Sequence, residues 1–303
     1  MIKWIKRIIV GVLGLLMVLF LISWISFYNW KKDTLEAMPY ESSVVQTPNG
    51  PVEYIQQGEG SKYMLIVHGS PGSAYVADTK SYVENGFNVI AISRPGYYNT
   101  PLTSGKTPKA QAELYKLLLD QLGVEKVYVN AISGGGPSGI QFTINYPERT
   151  SGLILRAAIS GQFDALTREP GSVEKFIQTE YGLWLLTRVM SLQADEVMQK
   201  NMEKALKKGF FPLEQTKSGL QNDAEQFSLI ESFDLEKIKV PTLIIHGNKD
   251  VNVPFNVARN TSERIPNSKL FEMDGKDHFV FFSSYKDTIN SKIIEFVKIN
   301  SQF

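Results

Sequence analysis

The 303-residue chain contains no cysteine. That absence excludes disulfides, thiolate metal sites and a cysteine nucleophile together, and it leaves the redox compartment open. Histidine is scarce as well, with three in the whole chain, so any general base built on imidazole has few candidates. Charge of one sign is also lacking: 32 Lys and Arg balance 31 Asp and Glu, for a net charge of +1. No basic excess points to nucleic acid as a partner. The length suits one large α/β domain with an insertion, with enough chain to bury a substantial core.

What the chain does have is a long apolar run. Between Arg7 and Lys31 lies IIVGVLGLLMVLFLISWISFYNW, without a charge. As a helix it measures about 34 Å at ~1.5 Å per residue, enough to cross ~30 Å of hydrocarbon. Trp24, Tyr28 and Trp30 gather toward one end, where amphipathic rings suit a membrane interface. A buried soluble helix and a cleaved signal peptide are the alternatives. The run is apolar all round, which disfavours the first. It is long for the second, and no A-x-A-like cleavage site follows it. An uncleaved signal-anchor over residues 1–30 is expected, with a polar stalk over 31–42 and the main domain over 43–303. Lys3, Lys6 and Arg7 before the span slightly outweigh Lys31 and Lys32 after it. That bias places the N-terminus in the cytoplasm and the domain on the extracytoplasmic side of the cell membrane.

Beyond the stalk, VVQT and VEYIQQ flank PNGP and suggest a hairpin turning at Asn49-Gly50. Strands and helices then alternate. YMLIVHG, FNVIAIS, KVYVNAI, GLILRAA, VPTLIIHG and KLFEM read as strands. Helices are expected over 75–85, over TPKAQAELYKLLLDQLG, over GGPSGIQFTINY and near 286–299. The second of these has Thr107 as N-cap, Pro108 at its first position and Gly123 just past its end. The alternation implies a largely parallel sheet covered on both faces. No strand is expected between Ala158 and Val240. This helix-forming stretch reads as a lid over about 160–239, whose Trp184, Leu185, Leu186, Val189 and Met190 either line an acyl pocket or pack the lid onto the core.

The run KVYVNAISGGGPSG admits two readings. Gly134, Gly136 and Gly139 fit the dinucleotide fingerprint G-x-G-x-x-G. That fingerprint needs an acidic residue some 20 positions on, and LILRAA offers only Arg156 there. The alternative is a nucleophilic Ser133 on a tight strand-to-helix turn, flanked by the small Ala131 and Gly135. A nucleophilic serine needs a base, and the base needs a carboxylate to orient it. His68 and His246 each end an apolar strand before glycine, which suits structural hydrogen bonds. His278, in the polar loop DGKDHFVFF, can reach the serine. Asp250 in HGNKDVNVP follows the penultimate strand and is the expected acid, with Asp274, Asp277 and Asp164 as rivals. Gly134 offers a backbone N–H to a developing oxyanion. Pro71 has no N–H, so Ser70 in HGSPG is the expected second donor.

These pieces, HGSPG, SRPGYYNTP, NAISGGGPSG, HGNKDVNVP and GKDHF, resemble the α/β-hydrolase superfamily from about Val44 to Phe303. The resemblance implies an eight-stranded, mostly parallel sheet carrying Ser133, Asp250 and His278 as triad and Ser70 and Gly134 as oxyanion donors. Ala131 stands where the family commonly has the first glycine of G-x-S-x-G. SRPGYYNTP looks like the family's R-G-x-G-x-S loop, which gives Arg94 and Gly96 a structural role. A serine hydrolase acting on a small acyl substrate is implied, carboxylesterase-like, with no cofactor and no metal. HGSPG is similar to the HGGPG of proline iminopeptidases, although NAISGGG is unlike their elbow. An aminopeptidase of that branch, an acyltransferase and a non-catalytic membrane interaction protein are the alternatives.

Overall fold

The computed structural model describes residues 2–38, 41–168 and 171–301. Eight strands form one sheet: β1 (Ser43–Thr47), β2 (Gly50–Gln57), β3 (Lys62–Val67), β4 (Phe87–Ile92), β5 (Val127–Ile132), β6 (Thr150–Arg156), β7 (Thr242–Gly247) and β8 (Ser268–Met273). Their spatial order is β1-β2-β4-β3-β5-β6-β7-β8. β2 pairs antiparallel with both β1 and β4, and every other pairing is parallel. The sheet is therefore eight-stranded and mostly parallel, as expected. FNVIAI and TLIIHG are buried along their whole length because helices cover both faces.

Helices α3 (Pro108–Gln121), α4 (Gly136–Asn145) and α9 (Phe255–Arg264) cover one face, and α2 (Lys80–Val83) and α10 (Lys286–Asn300) the other. The start of α3 is set by Thr107, whose side chain accepts from the Ala110 N–H, with Pro108 in the first turn. Gly123 just beyond its end has φ +65°, where a β-carbon would be strained.

Three local expectations differ from the structure. Gly50 already belongs to β2, paired with Thr47, so the turn is Pro48-Asn49. The Thr47 hydroxyl holds it by accepting from the Asn49 N–H and donating to the Gly50 carbonyl. The segment expected as one helix over 75–85 is a single 3-10 turn, Ala74–Val76, and the short α2. Its start is capped by Ser73 and α2 begins afresh at Thr79. The N-terminal helix α1 spans Ile2–Glu36, so residues 31–36 of the expected stalk are helical.

No strand lies between β6 and β7 among the described residues. That interval holds α5 (Ser172–Ile177), α6 (Glu180–Ser191), α7 (Glu196–Ala205), a π-helical turn at Leu206–Phe210 and α8 (Lys217–Ser228). The C-terminal part of α1 packs onto this insertion. Phe27, Trp30, Trp184, Leu206 and Phe211 form one buried cluster. Lys31 pairs with Glu180 at 2.6 Å, and the Trp30 indole donates to Glu203 at 2.8 Å. These bonds explain why the helix continues past residue 30. Trp30, expected at a membrane interface, is instead turned onto Phe211, with ring centres 5.0 Å apart.

Candidate active site

The connection leaving β3 runs to one side of the sheet and the connection leaving β5 to the other, so a crevice opens between their C-terminal ends. Ligands of open α/β sheets bind at such a switch point. Ser70 follows β3 and Ser133 follows β5, one on each side of that crevice.

Ser133 sits between β5 and α4 with φ +47°, a left-handed conformation that costs a non-glycine residue of order 1–3 kcal/mol. The close approach of neighbouring chain explains the small residues around it. A β-carbon on Gly135 would meet the Val67 and His68 carbonyl oxygens at 2.5 and 2.6 Å. One on Gly139 would lie 2.6 Å from the Ala131 β-carbon. The methyl at Ala131 is thus accommodated by the bare α-carbon of Gly139.

The Ser133 hydroxyl lies 3.1 Å from Nε2 of His278, and Nδ1 of His278 lies 2.7 Å from Oδ2 of Asp250. Oδ1 of Asp250 accepts from the Asn252 and Val253 N–H groups, both at 2.9 Å, which pins the carboxylate with Oδ2 toward the ring. His246 adds a second contact to Oδ2 at 3.3 Å. Burial pushes the Asp250 carboxyl pKa up, but the bonds from His246, His278 and the Val253 amide outweigh it and hold it well below the usual carboxylate range. An ionised carboxylate only accepts, so Nδ1 carries the proton and Nε2 is free to accept from the Ser133 hydroxyl.

The rival acids lie elsewhere. Asp274 accepts from Asn248 and Asp277 caps the turn at Phe279, while Asp164 opens a 3-10 turn in the insertion. His246 donates to the Val253 carbonyl. His68 is fully buried, its Nδ1 2.7 Å from the Gly69 carbonyl and its Nε2 accepting from the Arg94 N–H.

Gly134 begins the turn into α4, and its bare α-carbon faces Ser70. A β-carbon there would lie 2.7 Å from the Ser70 β-carbon and 3.1 Å from the Ser70 nitrogen. The two amides named as oxyanion donors are therefore neighbours across the crevice. Among the described residues the Ser70 N–H has no acceptor.

Several contacts at the site have no signal in the sequence. Phe227 of α8 abuts Gly134, and it packs with Ile159 and Val253 in an apolar cluster beside Ser133. Of the side chains considered for an acyl pocket, Trp184 and Leu185 pack with α1 instead. Val189 is exposed, and Leu186 and Met190 are half-buried. Arg94 and Tyr97, from SRPGYYNTP, bind Asp223 of α8. A groove of about 600 Å³ between the β1–β2 hairpin and α7 is lined by Ser42, Gln57, Tyr75 and Lys204, and none of the five candidate residues borders it.

A family model described as the alpha/beta hydrolase fold matches residues 62–285. "Uncharacterized hydrolase YcgS" of Bacillus subtilis (strain 168) is 28% identical over 275 residues, covering 82% of this chain and 95% of that protein. The chain is 25% identical over 263 residues to the 2-hydroxy-6-oxononadienedioate/2-hydroxy-6-oxononatrienedioate hydrolase of Paraburkholderia phymatum, with 81% of this chain and 90% of that protein covered. Among solved structures, an alpha/beta hydrolase fold protein from Nakamurella multipartita is similar with a TM-score of 0.68 and 29% identity, over 84% of this chain and 98% of that one.

Proposed function

The chain is a hydrolase of the alpha/beta hydrolase family, and from that premise we propose that it is a membrane-anchored serine hydrolase cleaving an ester or amide bond through an acyl-enzyme. The observation that carries this reading is the hydrogen-bond chain from Ser133 through His278 to Asp250, with the serine held at φ +47°.

In this mechanism Oγ of Ser133 attacks the acyl carbon while its proton passes to Nε2 of His278. Asp250 stabilises the imidazolium that forms. The oxyanion is taken up by the N–H groups of Ser70 and Gly134, each such donor being worth about 3 kcal/mol. His278 then protonates the leaving group. A water that gives its proton to the same histidine attacks the acyl-enzyme and frees the acid. The insertion over about 160–239 serves as a lid over this end of the sheet.

α1 is the anchor: its apolar window has a mean hydropathy of 2.9 and none of that window is buried in the protein. The basic residues before it support a single-pass placement with the domain outside the cytoplasm.

The test is turnover of an ester panel graded by acyl length, with and without the Ser133 hydroxyl. Ser133→Ala should lower kcat by several powers of ten, leaving only what binding and the oxyanion donors supply. Unchanged turnover in that variant would overturn the reading. The similarity to the dienedioate hydrolase favours one second reading, cleavage of a dienedioate, so that compound belongs on the same panel.

A further inference from the structure

We propose that α5 and the start of α6 form a second membrane-contact surface, which rests on the phospholipid bilayer that α1 crosses. The proposal rests on the anchor reading and goes beyond it, because it places the insertion itself at the lipid interface.

The depth of α1 in the bilayer sets the depth of whatever is bound to it. A bilayer core of ~30 Å needs about 20 helical residues. Arg7 is the last charge before the apolar run, so a span of about 20 residues that starts at Ile8 reaches Phe27. Any tilt brings still more of the helix inside. Yet Tyr181 of α6 touches this same part of α1. Its ring centre lies 6.1, 5.2 and 5.4 Å from those of Phe20, Trp24 and Phe27. Its hydroxyl bonds the Ser23 hydroxyl at 2.8 Å. Phe20 lies seven residues before Phe27, about 10 Å along the axis at ~1.5 Å per residue. Ser23 and Trp24 lie three to four residues before Phe27, so a docked insertion has Tyr181 about 5 Å inside the interface, at the shallow end of the depth at which amphipathic helices lie in a membrane.

The surface beside Tyr181 has the matching chemistry. Phe176 of α5 is 6.2 Å from the Tyr181 ring and 45% exposed. Val173, one turn earlier on the same helix face, is 71% exposed. Trp24 and Tyr28 continue the apolar and aromatic surface on α1 itself. The ion pair between Lys31 and Glu180 lies just C-terminal of the span, level with the headgroups.

The absence of native cysteine allows unique labels on the full-length protein. Val173→Cys, Leu13→Cys on α1 and Glu263→Cys on α9 would each carry an environment-sensitive fluorophore. The proteins would be reconstituted in phosphatidylcholine–phosphatidylglycerol vesicles, then quenched by iodide from the water or by brominated acyl chains from the lipid. The label at Val173 should lose most of its emission to shallow-brominated lipid and little to iodide. Leu13 should respond to deep-brominated lipid, and Glu263 to iodide alone. Iodide quenching at Val173 with lipid quenching at Leu13 would overturn the proposal and leave the anchor standing. A Val173 label shielded from both quenchers means that another protein surface, such as a second copy, covers this face, and that also overturns it. Loss of lipid quenching at Leu13 would remove the anchor and the proposal together, without touching the hydrolase reading.

Discussion

Asp223 of α8 takes both terminal nitrogens of Arg94 on its two oxygens, at 2.8 and 2.5 Å, and the pair is 1% and 4% exposed at its side chains. The same carboxylate accepts from the Tyr97 hydroxyl at 2.5 Å, which in turn lies 3.1 Å from the Ser70 hydroxyl. Arg94 also donates to the His68 and Gly69 carbonyls. The insertion is therefore fastened through Asp223 to the turn that carries Ser70.

Removing one partner of this pair should cost far more than removing both. Asp223→Asn leaves the Arg94 guanidinium buried without its counter-charge, a change that typically costs ~3–5 kcal/mol. The double variant Arg94→Met with Asp223→Leu should lose much less. Urea unfolding of the two proteins checks the order. Equal losses would mean that the pair is better solvated than its burial implies.

His68 should make the fold sensitive to mild acid. Burial, then the Arg94 charge, pushes its pKa well below the usual value, against a smaller opposing effect of its bond to Gly69. Only the neutral ring with its proton on Nδ1 satisfies both contacts, since Nε2 must accept from the Arg94 N–H. Between the lowered folded pKa and ~6.5, the unfolded chain holds a proton that the native state lacks. The stabilisation is thus present above about pH 6.5 and is lost as pH falls below it, by up to ~1.4 kcal/mol per pH unit. Unfolding free energies from pH 7.5 to 5 should fall more steeply in the parent protein than in His68→Asn. Parallel curves would refute this.

Gly134→Ala tests the oxyanion assignment without touching the nucleophile or its base. The added methyl would meet the Ser70 β-carbon at 2.7 Å and the Phe227 ring at 2.9 Å, forcing the two amides apart. Losing one donor costs about 10²–10³ in kcat. A kcat reduced on that scale, with KM little changed, is expected on a soluble ester. A variant with parental kcat would show that these amides do not stabilise the transition state.

The sheet was legible because its strands are short apolar runs punctuated by glycine, proline and polar loops. Ser70, Ser133, Asp250 and His278 each follow such a run, so their arrival at one end of the sheet follows from topology alone. The same local reading misplaced the hairpin turn by one residue, because Gly50 could serve either as a turn residue or as a strand start. What sequence could not show is contact between distant segments. Trp30 has the composition of an interfacial ring, and its partner Phe211 lies far along the chain in a segment with no motif. Trp184 could line a pocket or pack the lid on sequence alone, and only the fold shows that α1 covers it. Nothing in KSGLQNDAEQFS singles out Asp223 before Arg94 is found beside it.

Ser133 is, on this mechanism, an activated nucleophile. That role is tested most directly by a fluorophosphonate probe applied to the full-length protein in detergent, with Ser133→Ala and His278→Ala beside it. Covalent labelling of the parent protein is expected, with none of Ser133→Ala and with labelling of His278→Ala slowed by orders of magnitude. Labelling that persists in Ser133→Ala would contradict that role.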